Sequence, residues 1–296
     1  MQVVIGTRGS ELALIQAKFV QKQLAQAYPG DDFKLKIIKT KGDRVKDSAL
    51  AEIGDKGIFV REIEQELLNH SIHMAVHSMK DMPSELPDGL CFADAWKRED
   101  PRDVLVLREA DSLQDLKEHA VIGTGSMRRA YQLLALRPDL KIVDIRGNVD
   151  TRIAKMHSEA MDGIVLAAAG LVRLNKEKVI TQYLTPEQMV PAAAQGQLAI
   201  EMPADATELL KAVNALSDTD AQRAAVTERL FLQGTGGGCH KPVGAYARIL
   251  KDKKIELYGF YGSEDGKRLA HCQVTGETPG TVAKQAVAEI MHKIRG

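Results

Sequence analysis

Asp81 follows an alternating run, Met74-Ala-Val-His-Ser78, in a loop that also holds Lys80 and closes at Pro83. In an α/β sheet such a loop lies at a strand's C-terminal end, where ligands and catalytic side chains gather. A lone loop aspartate is most often a turn former. Facing arginines, it stays ionised and can pair with a cationic intermediate or exchange a proton. Arg8 lies in a first Gly-Thr turn, and Arg128 and Arg129 open a helix after a second. Arg146 ends a strand, Arg152 sits one turn into the next helix, and Arg173 follows a further strand. As a set, six guanidiniums at strand ends suit a ligand with several carboxylates, each able to take a bidentate pair. Any one of them alone would read as a solvated surface arginine.

The two turns, Gly6-Thr7 and Gly123-Thr124, leave backbone N–H groups at helix N-termini, with Ser10 and Ser126 beside them. That arrangement favours a carboxylate or phosphate, and equally serves plain helix capping. Cys239 comes after three consecutive glycines. Free cysteines are usually small buried groups, but so little side-chain cover leaves this sulfur within reach of a ligand.

Other chemistries are disfavoured. No Walker A spacing occurs, and Gly123-Thr-Gly-Ser-Met-Arg128 lacks the third glycine of a dinucleotide fingerprint. His70, His73 and His77 run from a helix end into an alternating strand, which does not bring all three to one face, so no metal is expected. Two functional alternatives stay open on the residues alone. One is a non-catalytic binding protein for a small polycarboxylate, which has no use for Cys239 or Asp81. The other is a thiol enzyme with Cys239 as nucleophile and His240 as base, a pair whose adjacency in an extended loop points the side chains apart.

The elements that must position these residues read as strand, Gly-rich turn and amphipathic helix. Val3 to Gly6 is an expected strand, and Glu11 to Ala27 a helix capped by Ser10, with Leu12, Ile15, Phe19 and Val20 at helical spacing. Residues 34–38 and 72–76 continue the strands, and 58–68 is helical with Phe59, Ile63 and Leu67 on one face. The same signature recurs where Val121-Ile-Gly-Thr-Gly-Ser126 enters a helix over 127–136, so two halves with one plan are expected to flank a cleft. Strand and helix pairs follow at 141–145 with 149–157, and at 163–168. A helix over 221–232, three strands over 243–250, 254–260 and 269–275, and a closing helix over 281–294 form a smaller α+β module.

Length and composition bound these readings. At about 150 residues per domain, 296 residues make roughly two domains, with three within range. Hydrophobic residues at 44% and charged residues at 27% exclude a disordered or collagen-like chain. Forty basic residues balance forty acidic ones, so no charge excess exists to hold a nucleic acid, and none is expected as a partner. The apolar run at the N-terminus is too short for a secretory signal, and the longest, over 164–172, is far short of the ~20 residues a bilayer requires. A cytoplasmic protein without a membrane partner is expected. Cys91, Cys239 and Cys272 form no paired motif. No heptad pattern supports a coiled-coil dimer, and a monomer is expected.

Taken together, these residues resemble porphobilinogen deaminases, also called hydroxymethylbilane synthases. The resemblance runs along nearly the whole chain, through Thr7-Arg-Gly-Ser10, Gly54-Asp-Lys-Gly-Ile-Phe59, Ala75-Val-His-Ser-Met-Lys-Asp-Met-Pro83 and Arg98-Glu-Asp-Pro-Arg-Asp103. It continues through Gly123-Thr-Gly-Ser-Met-Arg-Arg129, Arg146-Gly-Asn-Val-Asp-Thr-Arg152, Leu166-Ala-Ala-Ala-Gly-Leu171 and Gly237-Gly-Cys239. It implies an α/β fold with two periplasmic-binding-protein-like domains flanking a cleft, plus a small α+β C-terminal domain carrying the cofactor cysteine. The expected division is 1–98 with 195–216, then 99–194, then 217–296.

The implied activity is the head-to-tail condensation of four porphobilinogen molecules with release of ammonia, then hydrolysis to hydroxymethylbilane. The implied cofactor is a dipyrromethane, held by a thioether that falls on Cys239, and the family's catalytic aspartate falls on Asp81. Each pyrrole carries an acetate and a propionate, which gives the arginines a purpose. Lys80, Ser78, Ser126, Arg128, Arg129, Asn148 and Asp81 are the implied cofactor contacts. Arg8, Ser10, Gln16, Lys56, Arg146, Arg152 and Arg173 are the implied substrate contacts. The chain also departs from the pattern: Glu52 and Arg61 stand where lysines are common, around an implied lid at 43–57, and His240-Lys-Pro242 replaces the frequent Gln-Val-Pro.

Overall fold

The computed structural model describes residues 1–40, 60–236 and 241–295. Lys56, Glu52, the lid expectation over 43–57, Cys239 and His240 lie outside the described residues. In chain order the elements begin with β1 (Gln2–Thr7), α1 (Glu11–Ala27), β2 (Asp32–Ile37), α2 (Arg61–Leu68), β3 (Met74–Ser78), a 3₁₀ turn (Met79–Asp81) and β4 (Leu90–Phe92). Next come β5 (Asp103–Leu107), β6 (Val121–Gly123), α3 (Met127–Leu136), β7 (Lys141–Val143), α4 (Val149–Ser158), β8 (Gly163–Ala167), α5 (Ala168–Arg173) and β9 (Gln182–Tyr183). The chain continues with β10 (Leu198–Pro203), α6 (Thr207–Asn214), α7 (Thr219–Gly234), β11 (Val243–Ile249), β12 (Ile255–Gly262), β13 (Leu269–Gly276) and α8 (Pro279–Arg295). Two compact units result: Met1–Lys97 with Gln197–Thr219, and Arg98–Gly196 with Asp220–Gly296.

The first unit is built on a sheet of order β2-β1-β3-β10-β4. β1 runs parallel to β2 and β3, and β10 runs antiparallel to β3 and β4. The period of two along β1 sends Val3 and Ile5 into one core with Ala17, Val20, Leu24 and Trp96. Val4 packs on the other face, against Ile38, Ile63, Leu67 and Ile72. A sheet covered on both faces has strands that read as continuous apolar runs, which is why fully buried β10 carries no alternation for sequence reading to find. The expected strand over 72–76 is realised as Met74–Ser78, because Ile72 still bonds back to Glu66 O and the ladder to β1 opens at Met74. The expected stripe of α1 is also turned. Gln16, Ala17, Val20 and Leu24 are its buried residues, whereas Phe19 is 48% exposed.

In the second unit the sheet order is β7-β6-β8-β5-β9, with β6 parallel to β7 and β8, and β5 antiparallel to β8 and β9. The two five-stranded sheets therefore share one plan, strand for strand: a parallel trio and an antiparallel strand that returns beside it. Along β5, Val104 and Val106 enter one core and Leu105 and Leu107 the opposite one. The same unit carries the antiparallel sheet β11-β12-β13, whose inner face packs with Phe231 of α7 and with Val282, Ala286 and Ile290 of α8. Gly259 is required there, since a Cβ would lie 2.6 Å from Cys272 Sγ and 2.8 Å from the Phe231 ring. No helix among the described residues is long and apolar enough to cross a membrane.

Candidate active site

In the first unit the candidate residues gather at the C-terminal ends of β1 and β3. Gly6 pairs with Ala75, so Arg8 and Ser78 extend from the same sheet end. Ser10 caps α1, its side chain accepting from the Ala13 N–H at 3.4 Å. Gln16 lies almost buried and donates from Nε2 to Ser78 Oγ at 2.9 Å. Beyond Ser78 the 3₁₀ turn is pinned by a Met79 N–H bond to Gln197 O and a Met82 N–H bond to Met79 O. Met79 and Met82 are both buried. Burying these two leaves Lys80 half-buried and Asp81 exposed, so the strand end delivers a carboxylate to solvent on a rigid support. The histidines part company as the spacing predicts: Nδ1 of His73 accepts from Val4 N–H, and His77 is buried against Glu201 at 3.1 Å. His70 lies near Asp205.

In the second unit the candidates follow the three parallel strands. Ser126 caps α3 without a side-chain cap bond. Arg128 and Arg129 enter the protein rather than facing outward, at 5% and 6% exposure. Both bind Asp103, the first residue of β5, which is fully buried. Arg128 Nη1 donates to Asp103 Oδ2 and to Val190 O, each at 2.7 Å. Arg129 donates to Asp103 Oδ1 from Nε at 3.0 Å and Nη2 at 2.7 Å, and from Nη1 to Val165 O at 3.0 Å. Burial opposes the charge on Asp103, but the two guanidiniums outweigh it and hold the carboxyl well below the usual carboxylate range. Burial lowers the Arg128 guanidinium, with Asp103 opposing.

Asn148 caps α4, its Oδ1 accepting from Thr151 N–H at 2.8 Å. Arg146 pairs with Asp144 at 2.9 Å, both side chains more than half exposed, and Arg152 Nε donates to Gly147 O at 2.8 Å. Gly147 has φ +120°, and a Cβ there would meet Thr151 at 2.7 Å, so this turn tolerates only glycine. Arg173 ends α5 and donates to Gly196 O at 2.7 Å; burial brings it down to about 10, with Glu99 opposing.

Three residues with central positions escape a reading based on strand-end arginines. Asp103 and Gln195 belong to the arginine cluster, and Glu228 accepts both Nη groups of Arg98 at 2.6 and 3.0 Å. Their signal is faint: Asp103 directly precedes the apolar run Val104–Leu107 and Gln195 follows Ala192–Ala194, whereas Glu228 lies between Thr227 and Arg229 with nothing local to mark it. Among the described residues, no group of three or more His, Cys, Asp or Glu is placed to hold a metal ion.

Comparison with known proteins bears on this arrangement. Residues 3–211 match the model of the porphobilinogen deaminase, dipyromethane cofactor binding domain, and residues 222–295 match the porphobilinogen deaminase, C-terminal domain. The chain belongs to the porphobilinogen deaminase family. Family members are enzymes, and the first matched model is that of the part that binds the cofactor. The chain is 54% identical to the porphobilinogen deaminase of Lachnospira eligens over 288 residues, covering 97% of this chain and 98% of that one. It is 46% identical to the porphobilinogen deaminase of Bacillus subtilis over 292 residues, covering 98% and 93%. Among solved structures it is similar to the Bordetella pertussis BvgS periplasmic VFT2 domain, with a TM-score of 0.43 and 17% identity over 73% of this chain and 86% of that chain. The donor set suits the family's cofactor. A dipyrromethane carries only carboxylates as charged groups, and Arg128 and Arg129 set two guanidiniums against the single carboxylate of Asp103.

Proposed function

We propose that the protein is a porphobilinogen deaminase that condenses four porphobilinogen molecules head to tail, releasing ammonia each time, and then frees hydroxymethylbilane by hydrolysis. The observation that carries this reading is the Arg128–Asp103–Arg129 cluster, a buried receptor with one positive charge in excess at a strand end. Such a receptor calls for an anion that arrives from outside. Arg128, Ser126, Asn148, Lys80 and Ser78 would hold a dipyrromethane attached through Cys239, with Arg129 sharing the Asp103 carboxylate behind Arg128. When bound, that group supplies the free α-carbon of its terminal ring as the nucleophile. Arg8, Ser10, Lys56, Arg146, Arg152 and Arg173 take the carboxylates of the incoming substrate, and Gln16, almost buried, serves the site through its bond to Ser78. Loss of ammonia from the substrate's aminomethyl group leaves an electron-poor azafulvene. The Asp81 carboxylate, beside pyrrole N–H groups, stabilises the positive charge that develops.

The three-domain division at 1–98 with 195–216, 99–194 and 217–296 is part of this reading, supported by one sheet in each segment. So are a cytoplasmic location, a monomeric state and the absence of a nucleic-acid partner, for which the balanced charge speaks.

Intact mass of the purified protein beside Cys239→Ser, with a pyrrole colour reaction on both, tests the proposal. The parent is expected to exceed its polypeptide mass by two linked pyrrole units, and the variant to match the bare chain. A parent that stays at the bare mass even after incubation with porphobilinogen would overturn the reading and return the protein to a simple carboxylate binder.

A further inference from the structure

The cluster around Asp103 divides its two arginines unequally. All three nitrogens of the Arg129 guanidinium are engaged, Nε and Nη2 by Asp103 and Nη1 by Val165 O. Both bonds of Arg128 leave from Nη1, one to Asp103 and one to Val190 O. Among the described residues its Nε and Nη2 make no hydrogen bond. No second carboxylate touches either arginine there, so the surplus charge is left for a ligand.

Asp103 is itself aimed. Gln195 Nε2 donates to Asp103 Oδ1 at 3.0 Å and to Pro101 O at 2.8 Å, which ties the carboxylate to the backbone just ahead of β5. Gln195 is fully buried, and its carbonyl accepts Arg98 Nε at 2.8 Å. The preceding Ala194, at φ +58°, gives its N–H to Glu228, and the following Gly196 gives its carbonyl to Arg173. One tight turn therefore fixes the orientation of Asp103 and also receives Arg173.

We infer that Asp103 is a positioning residue, aimed by Gln195. It locks Arg129 as an internal support and turns Arg128 so that its Nε–Nη2 edge meets a carboxylate of the pyrrole cofactor. The inference rests on the deaminase reading. It goes beyond that reading in assigning the two arginines different tasks, one holding the ligand and the other holding the geometry.

The test measures the fraction of purified chains carrying the two-pyrrole mass, alongside the thermal midpoint. Asp103→Asn keeps the shape but removes the charge that orients Arg128, and is expected to lower the loaded fraction about tenfold, the loss of one charge-assisted hydrogen bond. The double variant Asp103→Asn/Arg129→Gln restores the charge count. It is expected to recover the thermal midpoint while the loaded fraction stays low, a split that a purely structural role would not produce. Gln195→Met leaves every charge in place and removes only the aiming amide; a several-fold loss of loaded chains is expected, and it serves as the test if Asp103→Asn does not fold. A parent-like loaded fraction in Asp103→Asn, or in Gln195→Met where that variant stands in, overturns the inference. So does recovery of loading in the double variant. A parent that never carries the pyrrole mass overturns the deaminase reading instead, which keeps the two failures apart.

Discussion

Gln16 on α1 and Ser78 at the end of β3 are joined by a 2.9 Å hydrogen bond in which the amide donates and the hydroxyl accepts. A serine oxygen that is accepting still has its own proton to give. The bond thus fixes the oxygen and leaves the Ser78 O–H to be given to another acceptor. Gln16 is only 3% exposed, so it acts on a ligand chiefly through Ser78. Gln16→Leu and Ser78→Ala are each expected to lower the fraction of chains carrying the two-pyrrole mass by about tenfold, the worth of one hydrogen bond to a charged group. Because they act on the same hydroxyl, the double variant should be no worse than Ser78→Ala alone. Intact masses of the four proteins check this, and additive losses would show that Gln16 reaches the ligand by itself.

Asp81 has a different signature. The carboxylate is exposed on a turn anchored by buried Met79 and Met82, so its removal leaves the support intact. Asp81→Asn keeps the shape and removes the negative charge that the proposed chemistry sets against the developing cation. Loss of such preorganised electrostatic stabilisation is expected to lower kcat by about 10²–10³-fold while the two-pyrrole mass and the thermal midpoint stay at parent values. The checks are ammonia release under saturating porphobilinogen and the intact mass of the same sample. Near-normal turnover would remove Asp81 from the chemistry.

How far the sequence alone leads depends on what each residue answers to. The β1–α1 and β6–α3 junctions are legible because their glycines, capping serines and β-branched strands are local signals, and α1 and α3 begin and end where the pattern predicts. The strand-end places of Arg128, Arg129, Arg146, Arg152 and Arg173 follow from the same local reading. Their partners do not. Asp103 lies 25 residues from Arg128, and Gln195 lies 92 from Asp103, so nothing in periodicity ties them together. The turned face of α1 has the same origin. Apolar spacing favours Phe19 inside, but the long-range bond to Ser78 draws Gln16 inward instead. Strand β10 escapes because both of its faces are covered, which erases the alternation that marks a half-exposed strand.

The pairing of Arg98 with Glu228 sets the strongest stability expectation and ties it to pH. Glu228 is fully buried on α7, and besides both Nη groups of Arg98 it accepts the N–H groups of Ala194 and Ala247. Burial pushes its carboxyl above the usual range, with Arg98 as the main opposing influence. Arg98→Met would leave that carboxyl buried without its cation, a loss of about 3–5 kcal/mol for a broken buried pair. A group whose folded pKa is raised contributes stability that is fully present below its unfolded value, about 4.3 for glutamate, and lost as pH rises through the folded pKa. Without Arg98 that folded value moves higher still. The variant should therefore be less destabilised at pH 5 than at pH 8, and Glu228→Gln, added to Arg98→Met, should remove the difference. Chemical denaturation of the parent, the single and the double variant at the two pH values measures it. An Arg98→Met deficit of the same size at both would mean that Glu228 stays neutral, or stays charged, across the whole range.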